Sequence, residues 1–225
     1  NPQQVYMTFK DSLTAFNALK KGEFPEKGAI NLKITECIFQ LMSGFDIPTH
    51  WIRRIDATTV LTEKLKIIPL EVVVRNRLAG STAKKLGFTE GHRIKKPLVE
   101  FYYKSDELQD PFLSDDQIYM LEISEPLELE KIKKLALQVN GALLDIFEKI
   151  QLDLIDFKIE FGKNAEGQLK LADEISPDSM RLWDQTSGEK MDKDRFRRDL
   201  GKVEESYREV LSRIENLVKE RGLKL

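Results

Sequence analysis

The stretch LDLIDFKIEFGKNAEGQLKLADEISPDSMRLWD, at residues 152–184, decides the fold because it contains two strand-like runs joined by a turn. Residues 152–161 and 168–172 are rich in apolar side chains, whereas residues 162–167 between them are mostly polar and carry a glycine at each end. Apolar runs separated by a glycine-containing turn are typical of a β-hairpin. We therefore predict that this chain of 225 residues is built around an antiparallel hairpin.

The first strand of this hairpin carries charged residues on one face. Asp156, Lys158 and Glu160 alternate with apolar residues, and side chains two positions apart in a strand point to the same side. A face exposed to water is the more common explanation of such alternation. The apolar side chains of the opposite face, which we predict to be buried, are Ile155, Phe157, Ile159 and Phe161.

More acidic residues follow at the end of the second strand. Asp173 and Glu174 close this strand, and a break at residues 176–178 leads to Arg181. Carboxylates on two neighbouring strands, with one lysine among them, suit a cation and a polyphosphate better than a plain surface strand. The hairpin is therefore a candidate for half of a binding site, with a solvated face as the alternative.

The stretch IIPLEVVVRNRLAGS, at residues 67–81, predicts a second candidate site. Three successive valines indicate a buried strand over residues 69–77, and its two arginines precede Gly80 and Ser81, which open a short predicted helix at 82–86. Guanidinium groups and the N–H groups of a helix start both bind phosphate oxygens. An anion site and a strand end with solvated arginines explain this pattern equally well.

Composition excludes several classes of protein. A net charge of −2 gives no reason to expect a nucleic-acid or membrane partner. The two histidines, His50 and His92, and the single Cys37 form no motif, which argues against zinc and against a histidine-activated nucleophile. Cys37 is predicted to be a core residue of a protein from a reducing cytosol. We expect neither a membrane span nor a signal peptide.

The remaining pattern predicts an α+β fold of antiparallel sheets with packed helices. Apolar residues that recur every three to four positions predict helices, and strand-like runs separated by short turns predict antiparallel strands. Helices are predicted at 29–45, 125–150, 192–200 and 202–221, and further strands at 5–10, 49–55, 58–65 and 98–103. Residues 13–27 are polar and contain Gly22 and Pro25, which predicts a mobile loop.

The two clusters together indicate phosphate chemistry. Mg²⁺ takes oxygen ligands and usually one or two protein carboxylates, so Glu160 and Asp173, with Glu174 as a third candidate, are the predicted ligands. Lys158 could neutralise charge on a transferred phosphoryl group. The side chains suited to a second phosphate, not on the nucleotide, are Arg75, Ser81 and Arg181. We predict an ATP-dependent enzyme acting on a phosphorylated small molecule.

These stretches resemble the motifs of a known family, the phosphoribosylaminoimidazole-succinocarboxamide synthases or SAICAR synthetases of purine biosynthesis. The most specific are IIPLEVVVRNRLAGS, LIDFKIEFG at 154–162 and ADEISPDSMRLWD at 172–184, and weaker ones are KDSLTAFNALKK at 10–21 and MDKDRFRRDLG at 191–201. They occur in the family's order over essentially the whole chain. The resemblance implies a two-lobed fold related to protein kinases and ATP-grasp enzymes, with an ATP-side lobe at 1–68 and a substrate and metal lobe at 69–225.

The resemblance implies a carbon–nitrogen ligase that uses ATP and Mg²⁺. ATP would activate the carboxylate of carboxyaminoimidazole ribonucleotide as an acyl phosphate, and the amine of L-aspartate would then attack it. The products would be SAICAR, ADP and phosphate, in the de novo synthesis of IMP. At the level of the family we also expect a cytoplasmic homo-oligomer, such as a dimer.

The resemblance also implies roles for individual residues. The 5′-phosphate of the ribonucleotide would be held by Arg75, Ser81 and Arg181, with Asp11 near the substrate on a loop. The reaction centre would be lined by Asp156, Lys158 and Asp178. The nucleotide and its metal would meet Asp173 and Glu160, and the adenine hinge would be the backbone of residues 64–68, including Lys64 and Ile67.

One departure from the family pattern concerns the cover of the ATP phosphates. Family members usually begin with a short hairpin of the type GKAK, which these residues do not contain. The chain starts at Asn1 in what reads as the approach to a strand, so we expect the hairpin to lie upstream.

Two other functions predict different sequence features. A protein kinase or small-molecule kinase would need an HRD-type catalytic loop to accept a hydroxyl proton, and no such stretch occurs. A nucleotide-binding or RNA-binding module without activity predicts a basic face with aromatic residues, which disagrees with the net charge of −2 and with carboxylates in the predicted cleft.

Overall fold

The computed structural model describes residues 2–15 and 19–223, which form antiparallel sheets and helices as the predicted α+β class requires. The strands are β1 (Gln4–Thr8), β2 (Ser12–Ala15), β3 (Lys20–Glu23), β4 (Trp51–Arg54), β5 (Thr59–Glu63), β6 (Lys66–Ile67), β7 (Leu70–Leu78), β8 (His92–Tyr103), β9 (Phe112–Leu113), β10 (Leu152–Lys163), β11 (Leu169–Ala172) and β12 (Met180–Asp184). The α-helices are α1 (Lys27–Met42), α2 (Gly80–Lys85), α3 (Asp115–Met120), α4 (Pro126–Lys149), α5 (Asp194–Arg197) and α6 (Val203–Glu220).

Strand β10, the first strand of the predicted hairpin, is the centre of the largest sheet. Its first half pairs antiparallel with β7 and β12, and its second half pairs with β11 and β6. The hairpin prediction is confirmed, although β10 continues through Gly162 to Lys163. A Cβ at Gly162 would lie 2.8 Å from the Cβ of Leu65, so glycine lets the segment before β6 pass close to the strand.

The predicted apolar face of β10 is buried beneath helices. Phe157, Ile159 and Phe161 belong to the main core together with the apolar sides of α1, α4 and α6. Cys37 of α1 lies in the same core, where burial raises the pKa of its thiol to about 12. Cys37 is therefore a packing residue, as the sequence predicts, and its thiol stays protonated.

A second, smaller cluster lies beside the sheet of β1, β5 and β4. It is formed by Phe9, Leu32 and Val60. Leu32 belongs to α1, whose other apolar residues are part of the main core, so this helix joins the two clusters. The lobe boundary at residues 68 and 69 stays a prediction. Within the described residues, no helix is long and apolar enough to cross a membrane.

The mobile loop predicted at residues 13–27 is wrong for the part that the structure describes. Strands β2 and β3 form a hairpin there, with Leu13 opposite Gly22, and α1 begins at Lys27. Leu13 and Ala15 are buried whereas Ser12 and Thr14 are exposed, which is the alternation of a strand with one face against the protein. Residues 16–18 of the predicted loop lie outside the described residues.

The helix predicted at residues 192–200 shortens to the single turn α5. The carboxylate of Asp192 accepts the backbone N–H groups of Leu182, at 2.8 Å, and Asp194, at 2.7 Å, and so ties this segment to β12. Asp199 and Gly201 have positive φ angles of 54° and 70°, which stop the helix after one turn.

Candidate active site

Two adjoining pockets lie where β1, β2 and α1 face β10 and the segment leading into β12. The larger, here called the main cavity, has a volume of about 820 Å³, and the smaller, here called the arginine pocket, about 210 Å³. The arginine pocket is named for Arg75, Arg181 and Arg197 in its wall. The residues common to both walls are Glu71, Lys158, Asp178, Ser179 and Arg197. Residues of the predicted hairpin therefore line a cavity rather than a plain protein surface.

Lys158 contacts three carboxylates, and we call this region the acidic side of the main cavity. Its Nζ lies 3.0 Å from Oε1 of Glu160, 3.1 Å from Oε1 of Glu71 and 3.5 Å from Oδ2 of Asp173. Burial would lower the pKa of Lys158, but the carboxylates of Asp173, Glu160 and Glu71 outweigh burial and raise this pKa. Lys158 is therefore a permanent ammonium group at the wall between the two pockets.

Glu160 and Asp173, the predicted metal ligands, have different surroundings. Glu160 is 3% exposed and pairs with Lys104 at 2.5 Å as well as with Lys158, and these lysines lower its pKa against the effect of burial. Among the described residues, Glu160 is not part of the cavity wall, whereas Asp173 is. Burial raises the pKa of Asp173 despite the nearby ammonium of Lys158.

The predicted phosphate-binding arginines meet at one buried carboxylate. Nη1 of Arg75 lies 2.6 Å from Oδ2 of Asp156, and Nη1 of Arg181 lies 2.9 Å from the same oxygen. Because Asp156 on β10 lies opposite Arg75 on β7 and Arg181 on β12, sheet register alone brings the three side chains together. The alternative of solvated arginines at a strand end is therefore wrong for Arg75, which is 5% exposed.

The outer end of the Arg181 guanidinium lies against the start of α2. A Cβ at Gly80, whose φ is +57°, would come 2.6 Å from Nη2 of Arg181, so only glycine leaves room for this approach. Arg181 donates through Nε to Asp194 at 3.1 Å and through Nη1 to Asp156. Nη2 makes no hydrogen bond to any residue that the structure describes, and Ser81 is the next residue of α2 after Gly80.

Asp178 stands where the two pockets meet and has partners that the sequence does not reveal. Oδ2 accepts from Nζ of Lys27 at 2.5 Å, and Oδ1 accepts from the hydroxyl of Tyr207 at 2.6 Å. Burial would raise the pKa of Asp178, but Lys193 and Lys27 lower it. Lys27 lies at the start of a helix predicted to begin at Ala29, and Tyr207 has only the spacing of a packing residue.

Glu174 lies in the wall of the main cavity, near both Asp173 and Asp178. Burial raises its pKa to about 7, and the carboxylates of Asp178 and Asp173 add to this rise. Its Oε2 accepts from the hydroxyl of Ser176 at 2.5 Å. The charge of Lys27 and the hydroxyl of Ser176 offset only part of this rise, so Glu174 is the carboxyl group of this wall that protonates near neutral pH.

The predicted residues Asp11, Lys64, Ile67 and Ser81 lie in neither pocket wall among the residues described. Oδ1 of Asp11 accepts the backbone N–H of Gly28 at 2.8 Å, so this carboxylate caps the first turn of α1. The N–H of Lys64 donates to the carbonyl of Gln3 at 2.8 Å, and Ile67 pairs with Gly162 of β10. Their predicted roles remain predictions.

Comparison with known proteins gives one consistent result. The family model for SAICAR synthetase matches residues 1–214. The phosphoribosylaminoimidazole-succinocarboxamide synthase of Nautilia profundicola is 50% identical over 218 residues, which are 96% of this chain and 93% of that protein. Its counterpart in Bacillus subtilis is 48% identical over 210 residues, 93% of this chain and 87% of that protein.

A solved structure of a SAICAR synthetase in complex with ADP is 44% identical and matches with a TM-score of 0.92. The match covers 94% of this chain and 91% of that one. The crystal structure of the Ehrlichia chaffeensis phosphoribosylaminoimidazole-succinocarboxamide synthase matches with a TM-score of 0.93 at 43% identity, over 96% and 92% of the two chains. Sequence and fold therefore agree along nearly the whole length.

Proposed function

The chain belongs to the SAICAR synthetase family, and we propose that the main cavity and the arginine pocket together form its catalytic centre. It is an ATP-dependent carbon–nitrogen ligase of purine biosynthesis. The enzyme joins the amine of L-aspartate to the carboxylate of carboxyaminoimidazole ribonucleotide, and the products are SAICAR, ADP and phosphate. The assignment of particular residues to these substrates is the proposal argued below.

The 5′-phosphate of the ribonucleotide would bind in the arginine pocket. The observation that carries this assignment is the convergence of Arg75 and Arg181 on Asp156, which fixes both guanidinium groups before any ligand arrives. Fixed guanidinium forks bind phosphate with little loss of side-chain entropy. Nη2 of Arg181 has no hydrogen-bond partner among the described residues and would donate to a phosphate oxygen, and Ser81, which follows Gly80 in α2, would donate its hydroxyl.

The triphosphate of ATP would lie along the acidic side of the main cavity, with Mg²⁺ held there. Mg²⁺ needs only one or two protein carboxylates, because water and phosphate oxygens complete its shell. Asp173 fits this requirement, since it lies in the cavity wall and a cation bound there would offset the burial that raises the pKa of its carboxyl group. Glu160 would be the second ligand. When bound, the ion would neutralise charge on the phosphate oxygens.

Within this centre the side chains would mainly position and stabilise charge. The carboxylate of the ribonucleotide is already ionised, so its attack on phosphorus needs no general base from the protein. The Lys158 ammonium, in the wall shared by the pockets, would stabilise the phosphoryl group during transfer. Asp178 would lie beside the amine that attacks next, and Asp156 would keep the arginines in place.

The remaining assignments concern adenine, Asp11 and the assembly. Adenine would contact the backbone around Lys64 and Ile67, and Asp11 would act through the first turn of α1, where it holds Gly28 next to Lys27. The corresponding proposal for the assembly is a cytoplasmic homo-oligomer, such as a dimer, that binds neither nucleic acid nor membrane.

A coupled assay of ADP release tests the proposed function. With Mg²⁺-ATP present, release is expected to require both carboxyaminoimidazole ribonucleotide and L-aspartate. Mass spectrometry should find SAICAR in amounts equal to the ADP formed. ADP release at an unchanged rate after both substrates are left out would overturn the ligase assignment.

A further inference from the structure

The motif MDKDRFRRDLG, at residues 191–201, contributes two charged side chains that the proposed function leaves without a role. It follows β12 in the chain and contains the single turn α5. Arg197 of this turn lies in the walls of both pockets. Asp194, three residues earlier, lies in neither wall of the described structure, although it contacts two arginines that do.

Asp194 holds two of the three guanidinium groups in the wall of the arginine pocket. Its Oδ2 accepts from Nε of Arg181 at 3.1 Å, and its Oδ1 accepts from Nη1 of Arg197 at 2.8 Å. The residue is 1% exposed. Burial would raise the pKa of Asp194, but the charges of Arg181 and Arg197 outweigh it and lower this pKa. Asp194 is therefore an ionised carboxylate behind the pocket wall.

Two carboxylates together determine the orientation of Arg181. Nη1 donates to both oxygens of Asp156, at 3.0 and 2.9 Å, whereas Nε donates to Asp194. Because a guanidinium group is planar, contacts at two of its nitrogens also fix the direction of the third. That third nitrogen is Nη2, which lies against Gly80 at the start of α2. Without Asp194, the guanidinium group could turn about its contact with Asp156.

The backbone that carries Arg181 and Asp194 is held by Asp192. One carboxylate oxygen of Asp192 accepts the N–H of Leu182, the residue after Arg181, at 2.8 Å. The other oxygen accepts the N–H of Asp194 at 2.7 Å. The N–H of Met191 also donates to the carbonyl of Leu182 at 2.8 Å. Asp192 therefore sets the distance between the two backbones, and Asp194 sets the orientation of the side chains.

We propose that Asp194 is a positioning residue of the arginine pocket, which holds Arg181 and Arg197 so that Nη2 of Arg181 meets the 5′-phosphate of the ribonucleotide. The proposal deepens the proposed function and rests on it, because that function supplies the phosphate. Asp194 itself would not contact substrate, since its two oxygens accept from the arginines. It orients the donors from behind the wall and places no further negative charge against the phosphate.

The test compares SAICAR with its riboside, which lacks only the 5′-phosphate. Calorimetry in the presence of Mg²⁺-ADP measures the binding of each compound. Asp194→Asn is expected to weaken SAICAR about tenfold and to leave the riboside within about twofold of wild type, because the neutral amide turns an N–H group toward a guanidinium and releases Nη2 from its direction. A merely structural role would weaken both compounds alike or neither.

A second variant keeps the charge and changes only its position. Asp194→Glu retains a carboxylate but moves it by one methylene group, so its loss of SAICAR affinity should be smaller, about threefold. Thermal melting checks that each variant is folded. If Asp194→Asn does not fold, the comparison of SAICAR with the riboside in Asp194→Glu decides the question.

Asp153→Asn is the matched control. Asp153 also pairs with an arginine, Arg77, at 2.5 Å, and this pair lies outside both pocket walls among the residues described. The control removes one carboxylate from an arginine of the same sheet, so it should leave the affinities for SAICAR and its riboside at wild-type values.

Steady-state kinetics gives an independent readout. In Asp194→Asn the KM for the ribonucleotide should rise about tenfold, whereas the KM for ATP should stay within about twofold of wild type. Folded Asp194 variants that favour SAICAR over its riboside as strongly as wild type does would overturn the positioning role. A wild-type enzyme that binds the riboside as tightly as SAICAR would instead overturn the proposed phosphate pocket, so the two failures are distinguishable.

Discussion

The arginine pocket and the basic end of the main cavity, which is the wall around Asp178 with Lys27, Asn31 and Lys193, are each organised by one carboxylate. Different parts of the fold place these two carboxylates. In the arginine pocket, Asp156 lies opposite Arg75 and Arg181 on neighbouring strands of one sheet. At the basic end, Asp178 lies in the turn before β12, and its partners come from the start of α1 and the second turn of α6. The first arrangement follows from strand register, whereas the second depends on how two helices pack.

This difference has a physical consequence for how each carboxylate is held. Asp156 is 3% exposed and neutralises two guanidinium groups, each of which also has a second carboxylate partner. Asp178 has one lysine and one neutral hydroxyl as hydrogen-bond partners, and it borders both pockets. We infer that Asp156 has mainly a structural role in fixing the arginines, and that Asp178 is placed to meet a substrate.

The largest expected effect concerns the stability that each carboxylate provides. Asp156→Asn is expected to lower the free energy of unfolding by about 3 kcal/mol, because it removes the buried carboxylate that bridges Arg75 and Arg181 and leaves each with one carboxylate partner. Asp178→Asn should cost less, since only Lys27 loses an ion pair and the amide oxygen can still accept from Tyr207. Urea unfolding of both variants at pH 7 measures the difference. A larger destabilisation by Asp178→Asn than by Asp156→Asn would contradict the roles inferred for these two carboxylates.

The next effect concerns the unused donor in the arginine pocket. Arg181→Lys keeps a positive charge near Asp156 but removes Nη2, so the KM for the ribonucleotide should rise about tenfold while the KM for ATP stays unchanged. Arg77→Lys is the matched control, because Arg77 pairs with Asp153 outside both pockets. An equal rise in the KM for ATP would show that the pocket assignments are wrong.

The part of the site that follows strand register could be predicted from the sequence. Alternation in DFKIE places Asp156, Lys158 and Glu160 on one side of a strand, and the valines before Arg75 mark a buried neighbouring strand. When two such strands are neighbours in register, as β7 and β10 are, their opposed charged residues lie close together. The α+β class and the core helices follow from apolar periodicity in the same way.

The basic end could not be predicted, because nothing in the local sequence marks its residues. Lys27 lies in a polar segment that reads as a loop, and Tyr207 has the spacing of an ordinary core residue. Asn31 is one of two amides in a mostly apolar helix, and its lack of a hydrogen-bond partner among the described residues is visible only in the structure. Helix packing over long sequence distances decides these contacts, so they require the structure.

The third prediction concerns one tyrosine beside each region, and its expected effect on the free energy of unfolding is smaller. Tyr207→Phe removes the hydroxyl that donates to Asp178, which should cost about 1–2 kcal/mol of stability. Because this hydrogen bond helps to lower the pKa of Asp178, its loss raises that pKa. The acid limb of the kcat/KM profile for L-aspartate should then move to higher pH.

Tyr102→Phe is the matched control, because the hydroxyl of Tyr102 accepts a hydrogen bond from Arg75 of the arginine pocket. The hydroxyl of Tyr102 donates to Glu100 at 3.0 Å, and Glu100 pairs with Arg75 rather than with Asp178. This variant should lose a similar amount of stability but keep the acid limb of the wild-type profile. A shift of the limb in Tyr102→Phe, or its absence in Tyr207→Phe, would contradict the role given to Asp178.

The last effect concerns only the pH dependence of stability and comes from a carboxylate held by backbone N–H groups. Asp192 is fully buried and accepts the N–H groups of Leu182 and Asp194, and burial together with the charge of Asp194 raises its pKa to about 7. Between the unfolded value near 4 and this raised value, the folded chain binds more protons than the unfolded chain, so its stability falls as pH rises. Glu174, with a pKa also raised to about 7, contributes in the same direction.

Asp192→Asn should therefore reduce, but not abolish, the slope of unfolding free energy against pH between about 4 and 7. An unchanged slope in urea titrations would show that backbone donors alone keep Asp192 ionised.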